Sequence, residues 1–325
     1  MNWESTLTWE DAKKRASIIS KIRMFFYQKN IVEVETPLLC KSSVTDIHLE
    51  AFKTQYHYFP ETNSQHSDDM FLQTSPEYCM KRLLASGYQS IYQITKAFRH
   101  ECKGRFHNPE FTMIEWYRIG FLQTDLMDEV STLLKFILHC DEPQILSYQE
   151  LFIEKINIDP LETNCHELKE VITLACKMED WIRNETCVDI LLQFIMSELI
   201  EPIIGQIKPI FIYNFPISQG SLARQSKIDK RVAERFECYY KGVELVNGFC
   251  ELTDAKEQLS RFNQDNVKRE KLKLKHKAID SRFIEALEAG IPSCAGVALG
   301  LDRLLMLALD KKAIDEVLTF SVDRA

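Results

Sequence analysis

Two strand-like segments separated by a short charged loop constrain the fold of this chain most. Residues 90–99 (SIYQITKAFR) and 109–118 (PEFTMIEWYR) are rich in β-branched and aromatic side chains, and only residues 100–108 separate them. This spacing predicts a long antiparallel hairpin. Because side chains alternate along a strand, one face of the second strand is predicted to carry Phe111, Met113, Glu115 and Tyr117.

The other segments predict helices around an antiparallel sheet. Apolar residues at helical spacing indicate a helix within residues 9–30, and the alternating segment Ile31–Glu35 indicates a strand that Pro37 ends. The remaining predicted helices are residues 123–139, 186–201, 255–272 and 281–289, and the remaining strands are residues 210–215, 242–253 and 295–300, the last running into an apolar helix. The predicted fold class is therefore α+β, an antiparallel sheet flanked by helices.

The chain is expected to form one compact domain over residues 1–325. Its 45% apolar residues are enough to bury a large core. It contains no internal repeat, low-complexity tract or obvious interdomain linker. The strongly polar stretch Glu61–Asp69 (ETNSQHSDD) is predicted to be an exposed loop between strands.

Net charge, the lack of long apolar runs and the spacing of the cysteines argue against several classes of function. The net charge of −8 argues against a protein whose main task is to grip a polyanion. No run of 18 or more apolar residues predicts a membrane span, and the first residues, MNWE, do not resemble a secretory signal. The 10 cysteines are scattered without zinc-site spacing, so we expect free, mostly buried thiols in the cytoplasm.

Two segments carry residues suited to binding a nucleotide. Arg99, at the end of the first hairpin strand, can bind a phosphate through two hydrogen bonds, and Glu101 can accept from an adenine amino group or a ribose hydroxyl. In the second segment, residues 296–303, glycines allow close approach of a nucleotide, and Arg303 can reach a terminal phosphate. A solvated hairpin tip and a strand–helix corner with a salt bridge are the structural alternatives.

Together with the helix and strand that end at Pro37, these segments resemble motifs 1, 2 and 3 of the class II aminoacyl-tRNA synthetases. The class I signatures HIGH and KMSKS are absent. Within class II the chain is similar to lysyl-tRNA synthetase over segments that span nearly its whole length. These segments are VEVETP (32–37), LQTSPEYCMKRLL (72–84), FRHE (98–101), HNPEFTMIEWY (107–117), ELVNGFCELTDA (244–255) and GVALGLDRLLML (296–307).

Two departures from the pattern of lysyl-tRNA synthetase narrow the resemblance to one group within the family. The helix before motif 1 begins near residue 10, so we expect no anticodon-binding domain. Position 298 carries alanine where the synthetase has glycine, and a methyl group there would reshape an amino-acid pocket. Both departures, with the tail FSVDRA and the segment VAERFECYYKGVELVNGF, resemble the stand-alone paralogues of lysyl-tRNA synthetase, which transfer β-lysine to elongation factor P.

The resemblance implies a set of site residues. Those implied in ATP binding are Arg99, His100, Glu101, Asn108, Glu244, Leu245, Gly300 and Arg303, of which Arg99 and Arg303 would be catalytic. Those implied in substrate binding are Ser75, Pro76, Glu77, Tyr117, Glu251 and Ala298. Glu244 and Glu251 would also hold Mg²⁺, which prefers a few carboxylates plus phosphate oxygens. Their odd spacing places them on opposite strand faces unless a bulge, expected at Gly248, restores a shared face.

The implied reaction forms an aminoacyl-adenylate from ATP and then an amide. The acceptor implied is the ε-amino group of one lysine on elongation factor P, with no tRNA and no membrane involved, and motif 1 implies a homodimer. Three alternatives remain: a compact lysyl-tRNA synthetase, a non-catalytic regulator that binds an amino acid, and a synthetase that makes an amide from a small amine. The retained phosphate-binding arginines and acidic residues argue against the regulator.

Overall fold

The computed structural model describes residues 3–57 and 67–325. The predicted mixture of helices and mostly antiparallel strands is confirmed. Within these residues, no helix combines the length and the apolar character that a membrane crossing requires. All 10 cysteines lie in the described ranges as free thiols, but only Cys238, Cys250 and Cys294 are buried, so the expectation of mostly buried thiols is wrong.

The strands of the described residues extend the predicted set. They are β1 (Val32–Glu33), β2 (Leu39–Cys40), β3 (Lys53–His57), β4 (Ser67–Leu72), β5 (Ile91–Phe98), β6 (Glu110–Ile119), β7 (Gln144–Ser147), β8 (Ile210–Pro216), β9 (Val232–Tyr240), β10 (Val243–Cys250) and β11 (Cys294–Gly300).

The helices include every predicted one. They are α1 (Trp9–Gln28), α2 (Glu77–Ala85), α3 (Gln123–Leu138), α4 (Tyr148–Ile156), α5 (Cys165–Leu174), α6 (Asp180–Asn184), α7 (Val188–Ile195), α8 (Ala255–Lys271), α9 (Ser281–Ala289) and α10 (Leu301–Ala308). The helix predicted over residues 186–201 is α7 followed by a π turn, Met196–Ile200.

The loop predicted over Glu61–Asp69 is partly wrong. Residues 61–66 lie outside the described residues, but Asp68 and Asp69 belong to β4, which pairs with β3. Lys41 contacts Asp68 at 2.8 Å and Lys53 contacts Asp69 at 2.6 Å. Cross-strand ion pairs of this kind support a strand whose composition is too polar to be recognised from its pattern.

The chain divides into two compact units. The first contains Met1–Gly120, Thr253–Cys294 and Ala298–Ala325, and the second contains Phe121–Leu252 and Ala295–Val297. A compact unit of contacts is not necessarily an independent folding domain, so one catalytic domain over residues 1–325 stays a prediction.

The hairpin of β5 and β6 organises the first unit. Its antiparallel register runs from Ile91 opposite Tyr117 to Phe98 opposite Glu110, which confirms the predicted pairing. Helix α1 covers one face of the hairpin, where Phe26 stacks on Tyr92 with ring centroids 4.2 Å apart. The opposite face therefore carries the alternate residues of β6, including Glu115 and Tyr117.

The second unit contains four neighbouring strands in the order β10, β9, β8, β7. Strand β7 runs parallel to β8, and the other pairs are antiparallel. Helices α4, α5 and α7 bury a hydrophobic core against the strands, which includes Tyr148, Phe152, Leu191, Ile195 and Ile212. The core includes Tyr239 of β9, the strand that pairs with β10.

A bulge in β10 lies three residues from the predicted position. Glu244 pairs with Tyr239 but Val246 pairs with Cys238, so the register shifts at Leu245 rather than at Gly248. Gly248 serves packing instead, because a Cβ built there would lie 2.5 Å from Cζ of Phe236 and 3.0 Å from Cγ2 of Val297. The glycine lets the Phe236 ring lie directly against the backbone.

We expect the substitution Gly248→Ala to destabilise the protein by about 1–3 kcal/mol, because overpacking forces the Phe236 ring to move. Urea unfolding followed by circular dichroism measures the change. The control is Gly104→Ala, where the nearest atom to the new Cβ, Nδ1 of His107, is 3.6 Å away. Equal stability of the two variants would contradict the packing role of Gly248.

Candidate active site

Arg99 lies where β5 enters the hairpin loop. Its backbone N–H donates to the carbonyl oxygen of Pro109 at 2.9 Å, which continues the ladder beyond Phe98. The guanidinium carbon lies 5.1 Å from the centroid of the Phe111 ring. A planar cation against an aromatic face is restricted in its rotamers, so the Arg99 guanidinium is already oriented for two parallel hydrogen bonds to an anion such as phosphate.

His100 and Glu101 follow Arg99 on the exposed part of the loop. The backbone N–H of His100 donates to the carbonyl oxygen of Glu50 at 2.8 Å, and its ring lies 4.9 Å from the ring of Phe52. These contacts fix the backbone and leave the Glu101 side chain toward solvent. Nucleotide contacts by the two side chains stay predictions.

Arg303, in the first turn of α10, contacts the same hairpin loop. Its Nε donates to the carbonyl oxygen of Phe106 at 3.2 Å, and its terminal nitrogen lies 2.9 Å from Nε2 of His107. A Cβ at Gly300 would lie 3.4 Å from Cδ of Arg303, so the glycine leaves room for the arginine stem. Two segments identified separately in the sequence, the hairpin loop and the glycine turn, thus meet within the first unit.

Asp302 anchors the start of α10, and sequence reasoning missed it. The side chain is 1% exposed, and its Oδ2 accepts from the Thr112 backbone N–H at 2.6 Å. Oδ1 lies 3.3 Å from the guanidinium of Arg15. Burial raises the pKa of Asp302, while the Thr112 N–H and Arg15 oppose that rise. The anchor ties α10 to β6, which positions the neighbouring Arg303.

Asn108 is buried and holds the loop to the C-terminal segment. Its side-chain nitrogen donates to the carbonyl oxygen of Glu110 at 2.6 Å, and its side-chain oxygen accepts from the Val322 N–H at 3.1 Å. Because these two hydrogen bonds engage both the nitrogen and the oxygen of the side-chain amide, Asn108 can be buried at little cost in free energy. The nucleotide contact proposed for Asn108 stays a prediction.

A buried carboxyl group, Glu115, lies on the face of β6 opposite α1. It is 2% exposed. Ser75 Oγ donates to one carboxyl oxygen at 2.9 Å, and the Tyr117 hydroxyl donates to the other at 2.6 Å. The structure therefore brings together Ser75 and Tyr117, two predicted substrate residues, through Glu115. The shared strand face of Glu115 and Tyr117 also fits a pocket for a diamine, although Glu115 is not among the predicted site residues.

The surroundings of Glu115 raise the free energy of its ionised form. Burial, followed by the nearby charge of Glu77, raises the pKa of Glu115 to about 7, while Tyr117, Ser75 and Lys81 act in the opposite direction. A buried carboxyl with a second acidic group beside it is stabilised as an anion by an added cation. The arrangement suits a ligand that carries an ammonium group.

Glu77 is paired within the protein. Its carboxylate contacts Nζ of Lys81 at 2.6 Å, and the Lys81 side chain is fully buried. Pro76 precedes the first turn of α2, and the Glu77 N–H donates to Ser75 Oγ at 3.0 Å. Lys81 was not foreseen, because its spacing from Glu77 equally fits an exposed ion pair on a helix.

In the second unit, the bulge at Leu245 places Glu244 and Glu251 on one face. Glu244 lies opposite Tyr239, and after the register shift odd-numbered residues take that same face. Glu251 is 3% exposed and bridges to Ala223 just beyond the strand. Leu245 is the extra residue of the bulge and is buried, so any contact it makes to a nucleotide would come from its backbone.

A third acidic residue, Glu237, lies on the neighbouring strand β9, on the same face of the sheet as Glu244. Its carboxylate accepts hydrogen bonds from Tyr239, Arg235 and Asn247. Burial raises the pKa of Glu237, Arg235 lowers it, and the charge of Glu244 raises it further. Sequence reasoning missed Glu237, although its alternation with Arg235 and Tyr239 placed all three on one face.

Glu244 and Glu251 carry carboxylates of the type that Mg²⁺ prefers beside phosphate oxygens, and a Mg²⁺ site on them stays a prediction. Two glutamates on one strand face are the donor set that such a site uses. Among residues 3–57 and 67–325, no group of three or more His, Cys, Asp or Glu side chains is arranged to hold a metal. A bound triphosphate would therefore have to complete the coordination.

Ala298 lies on β11 in the first unit. It alternates with buried Val297 and Leu299, and it is half-buried like Gly300, two residues further along the same face. A methyl group at this position is therefore accessible from the strand surface. Its contact with a substrate stays a prediction.

We expect the carboxyl of Glu115 to make stability depend on pH. Its folded-state pKa of about 7 exceeds the ordinary value of 4.5, so folding takes up a proton. The resulting stabilisation is full below about pH 4.5 and is lost as the pH rises through about 7. Relative to Glu115→Gln, the wild-type protein should lose up to about 3 kcal/mol over this range.

Urea unfolding at a series of pH values measures this difference. Glu285→Gln, which removes an exposed carboxylate on α9, is the matched control and should follow the wild type. A constant stability difference between Glu115→Gln and wild type across the range would contradict the elevated pKa.

Comparison with known proteins places the chain in a family. The profile for class II tRNA synthetases (D, K and N) matches residues 8–324. A protein of Vibrio cholerae named elongation factor P–(R)-β-lysine ligase is 49% identical over 324 residues, covering 100% of this chain and 99% of that protein.

Two further relatives with the same name show similar coverage. One, from Histophilus somni, is 50% identical and covers 99% of this chain and 98% of the relative. The other, from Buchnera aphidicola, is 48% identical with coverage of 99% and 98%. With the whole domain matched, the chain belongs to the class II tRNA synthetase family (D, K and N).

Proposed function

We propose that this protein is an ATP-dependent ligase that activates (R)-β-lysine as its adenylate and transfers it to the ε-amino group of a lysine on elongation factor P. The acceptor and the amino acid are supported by three relatives that carry this name and align over nearly their whole length. ATP is supported by membership of the class II synthetase family.

The buried carboxyl of Glu115 is the structural observation that carries the choice of amino acid. A lysine isomer has two amino groups, and one of them can neutralise this carboxyl. Ser75 and Tyr117 orient the two carboxyl oxygens at 2.9 Å and 2.6 Å. A charge-assisted hydrogen bond formed out of water discriminates strongly against a substrate that lacks the amino group.

The arginines of the first unit suit the triphosphate. Arg99, stacked on Phe111, would bind the α-phosphate and neutralise the charge that develops as the carboxylate attacks. Arg303, held by its contacts to Phe106 and His107, would bind the γ-phosphate. The proposed nucleotide contacts also include His100, Glu101, Asn108, Leu245 and Gly300.

Mg²⁺ is proposed on Glu244 and Glu251. When bound, the ion neutralises phosphate charge and helps pyrophosphate to leave. The remaining substrate contacts are proposed at Pro76, Glu77, Glu251 and Ala298.

The reaction then requires no protein nucleophile. A carboxylate oxygen of β-lysine attacks the α-phosphorus, the bond to the bridging oxygen breaks, and pyrophosphate leaves. The acceptor amine attacks the carbonyl carbon of the adenylate, AMP leaves, and the amine loses a proton. Positioning and electrostatic stabilisation supply the rate. We expect no tRNA substrate and a cytoplasmic location.

Intact mass spectrometry of elongation factor P tests this function. The factor is incubated with the enzyme, ATP, Mg²⁺ and (R)-β-lysine, and we expect a gain of one lysyl unit. Parallel reactions contain α-lysine, or lysine tRNA in place of the factor. Charging of the tRNA without modification of the factor would contradict the proposal.

The Glu115→Gln variant links the activity to the pocket. We expect its KM for (R)-β-lysine to rise about 30-fold or more, because loss of one partner of a buried charge pair costs about 2 kcal/mol or more. The KM for ATP should change little. Glu285→Gln is again the control, and an unchanged KM for the amino acid in Glu115→Gln would contradict the role of this carboxyl.

A homodimer through motif 1 is proposed on the exposed apolar side chains there. Met24 and Tyr27 on α1 are 53% and 77% exposed, and Val32 on β1 is 60% exposed. Met24 and Tyr27 lie one helical turn apart, so they share a face. Large apolar side chains grouped this way indicate a protein interface.

Sedimentation equilibrium tests the dimer. We expect the wild type to sediment at twice the chain mass of 38.0 kDa, and the double variant Met24→Glu, Tyr27→Glu to sediment as a monomer. Ile228→Glu, at a side chain that is 99% exposed in the second unit, is the control and should stay dimeric. A monomeric wild type at assay concentrations would contradict the dimer.

A further inference from the structure

Two cysteines far apart in the sequence lie side by side in the first unit. Cys40 is the last residue of β2, and Cys79 lies in the first turn of α2. Their side chains lie close enough that each thiol shifts the pKa of the other, and both side chains are partly exposed. The sulfur of Cys40 also lies 3.6 Å from the carbonyl oxygen of Pro37.

The surrounding backbone holds the two cysteines in this arrangement. Cys40 pairs with Phe71 on β4, and the Gln73 N–H donates to the carbonyl oxygen of Leu38 at 2.8 Å. Only residues 73–76 then separate β4 from α2. Helix α2 is fixed in turn because Tyr78 stacks on Phe283 of α9, with ring centroids 4.4 Å apart.

The charges around the pair favour a thiolate on Cys79. The hydrogen bond from Cys40, followed by the charge of Arg82, lowers the pKa of Cys79 to about 7 against burial and the opposing charge of Asp280. The same contact and burial raise the pKa of Cys40 well above its usual range, helped by Asp280 and opposed by Arg82. A partly exposed thiolate at the start of a helix is the form of cysteine that oxidants attack.

We propose that Cys79 and Cys40 are a modification site, at which a peroxide converts the two thiols into a reversible disulfide between β2 and α2. The Cys79 thiolate attacks one peroxide oxygen, the O–O bond breaks, and the departing hydroxide takes up a proton to form water. Cys79 is thereby oxidised by two electrons to the sulfenic acid. The Cys40 sulfur then attacks the Cys79 sulfur, the S–O bond breaks, and a second water forms with the Cys40 proton.

The disulfide would act on the amino-acid pocket through α2. Cys79 lies two residues beyond Glu77 and four beyond Ser75, which donates to Glu115. A covalent link to β2 restricts this turn, so oxidation raises the KM for the amino acid, a consequence that rests on the proposed function. The modification itself does not depend on that function.

Peptide mapping under non-reducing conditions tests the site. The reduced full-length protein is treated with stoichiometric hydrogen peroxide at neutral pH, alkylated, digested and analysed by mass spectrometry. We expect a linked pair of peptides containing Cys40 and Cys79, which a dithiol separates. Recovery of both cysteines in alkylated, unlinked form, while exposed Cys176 is oxidised, would overturn the proposal.

Serine variants assign the roles of the two cysteines. In Cys40→Ser, Cys79 should be trapped as a sulfenic acid by a cyclic 1,3-dione, and in Cys79→Ser, Cys40 should remain a thiol. Cys176→Ser is the matched control and should form the disulfide like wild type. The KM for (R)-β-lysine, measured before and after peroxide, should rise in wild type and stay constant in both pair variants.

A linked pair without any lysine-dependent activity would leave the modification site intact and overturn only the proposed function. Lysine-dependent activity without a linked pair would support the proposed function and overturn the modification site. Equal labelling of Cys40 and Cys79 in the separate variants would overturn the assignment of Cys79 as the attacked cysteine.

Discussion

A carboxyl group buried beside another acidic residue is the constraint around which the first unit is organised. Glu115 is almost fully enclosed, and an anion there is costly unless hydrogen bonds and a cation stabilise it. Ser75 and Tyr117 supply the hydrogen bonds. Lys81 contacts Glu77, so the charge of the second carboxylate is matched while the pKa of Glu115 stays elevated. The protein keeps a poised carboxyl where an amino substrate is proposed to bind.

The two arginines that are proposed to bind phosphate depend on a different kind of support. Arg99 is oriented by an aromatic ring, and Arg303 by carbonyl and imidazole contacts in the hairpin loop. Asp302 holds the start of α10 against β6 through the Thr112 N–H and Arg15. Asp302, Thr112 and Arg15 are not themselves proposed to bind the nucleotide. They fix the start of the helix that carries Arg303, which is proposed to bind it. Rigid support of this kind is what catalysis by positioning requires.

Local patterns predicted much of the fold because they report on near neighbours in sequence. The alternation in residues 90–118 predicted the hairpin and the face shared by Glu115 and Tyr117, and helical spacing of apolar residues predicted α1 and α3. Strand β4 was missed because its ion pairs come from residues distant in sequence. The bulge was placed at Gly248 because glycine is the usual signal, whereas the register shift follows from pairing with β9 at Glu244 and Val246.

The candidate site residues were chosen by resemblance, and their roles stay predictions. Resemblance identified the arginines and acidic residues, but it gave no indication that Asp302 is buried, that Lys81 pairs with Glu77, or that Cys40 lies against Cys79. Each of these depends on a contact between elements, and such contacts leave no periodic signal in one sequence. The contact partners of a titratable group decide its pKa and its chemistry, and only the folded structure shows those partners.

The most direct test of this account is a titration of the Glu115 side-chain carboxyl by carbon-13 NMR, with Glu115→Gln to assign the signal. The free enzyme should titrate with a midpoint near pH 7, and saturating (R)-β-lysine should move the midpoint well below that value, because a bound ammonium favours the anion. A midpoint that the ligand leaves unchanged would contradict the claim that Glu115 receives the amino group.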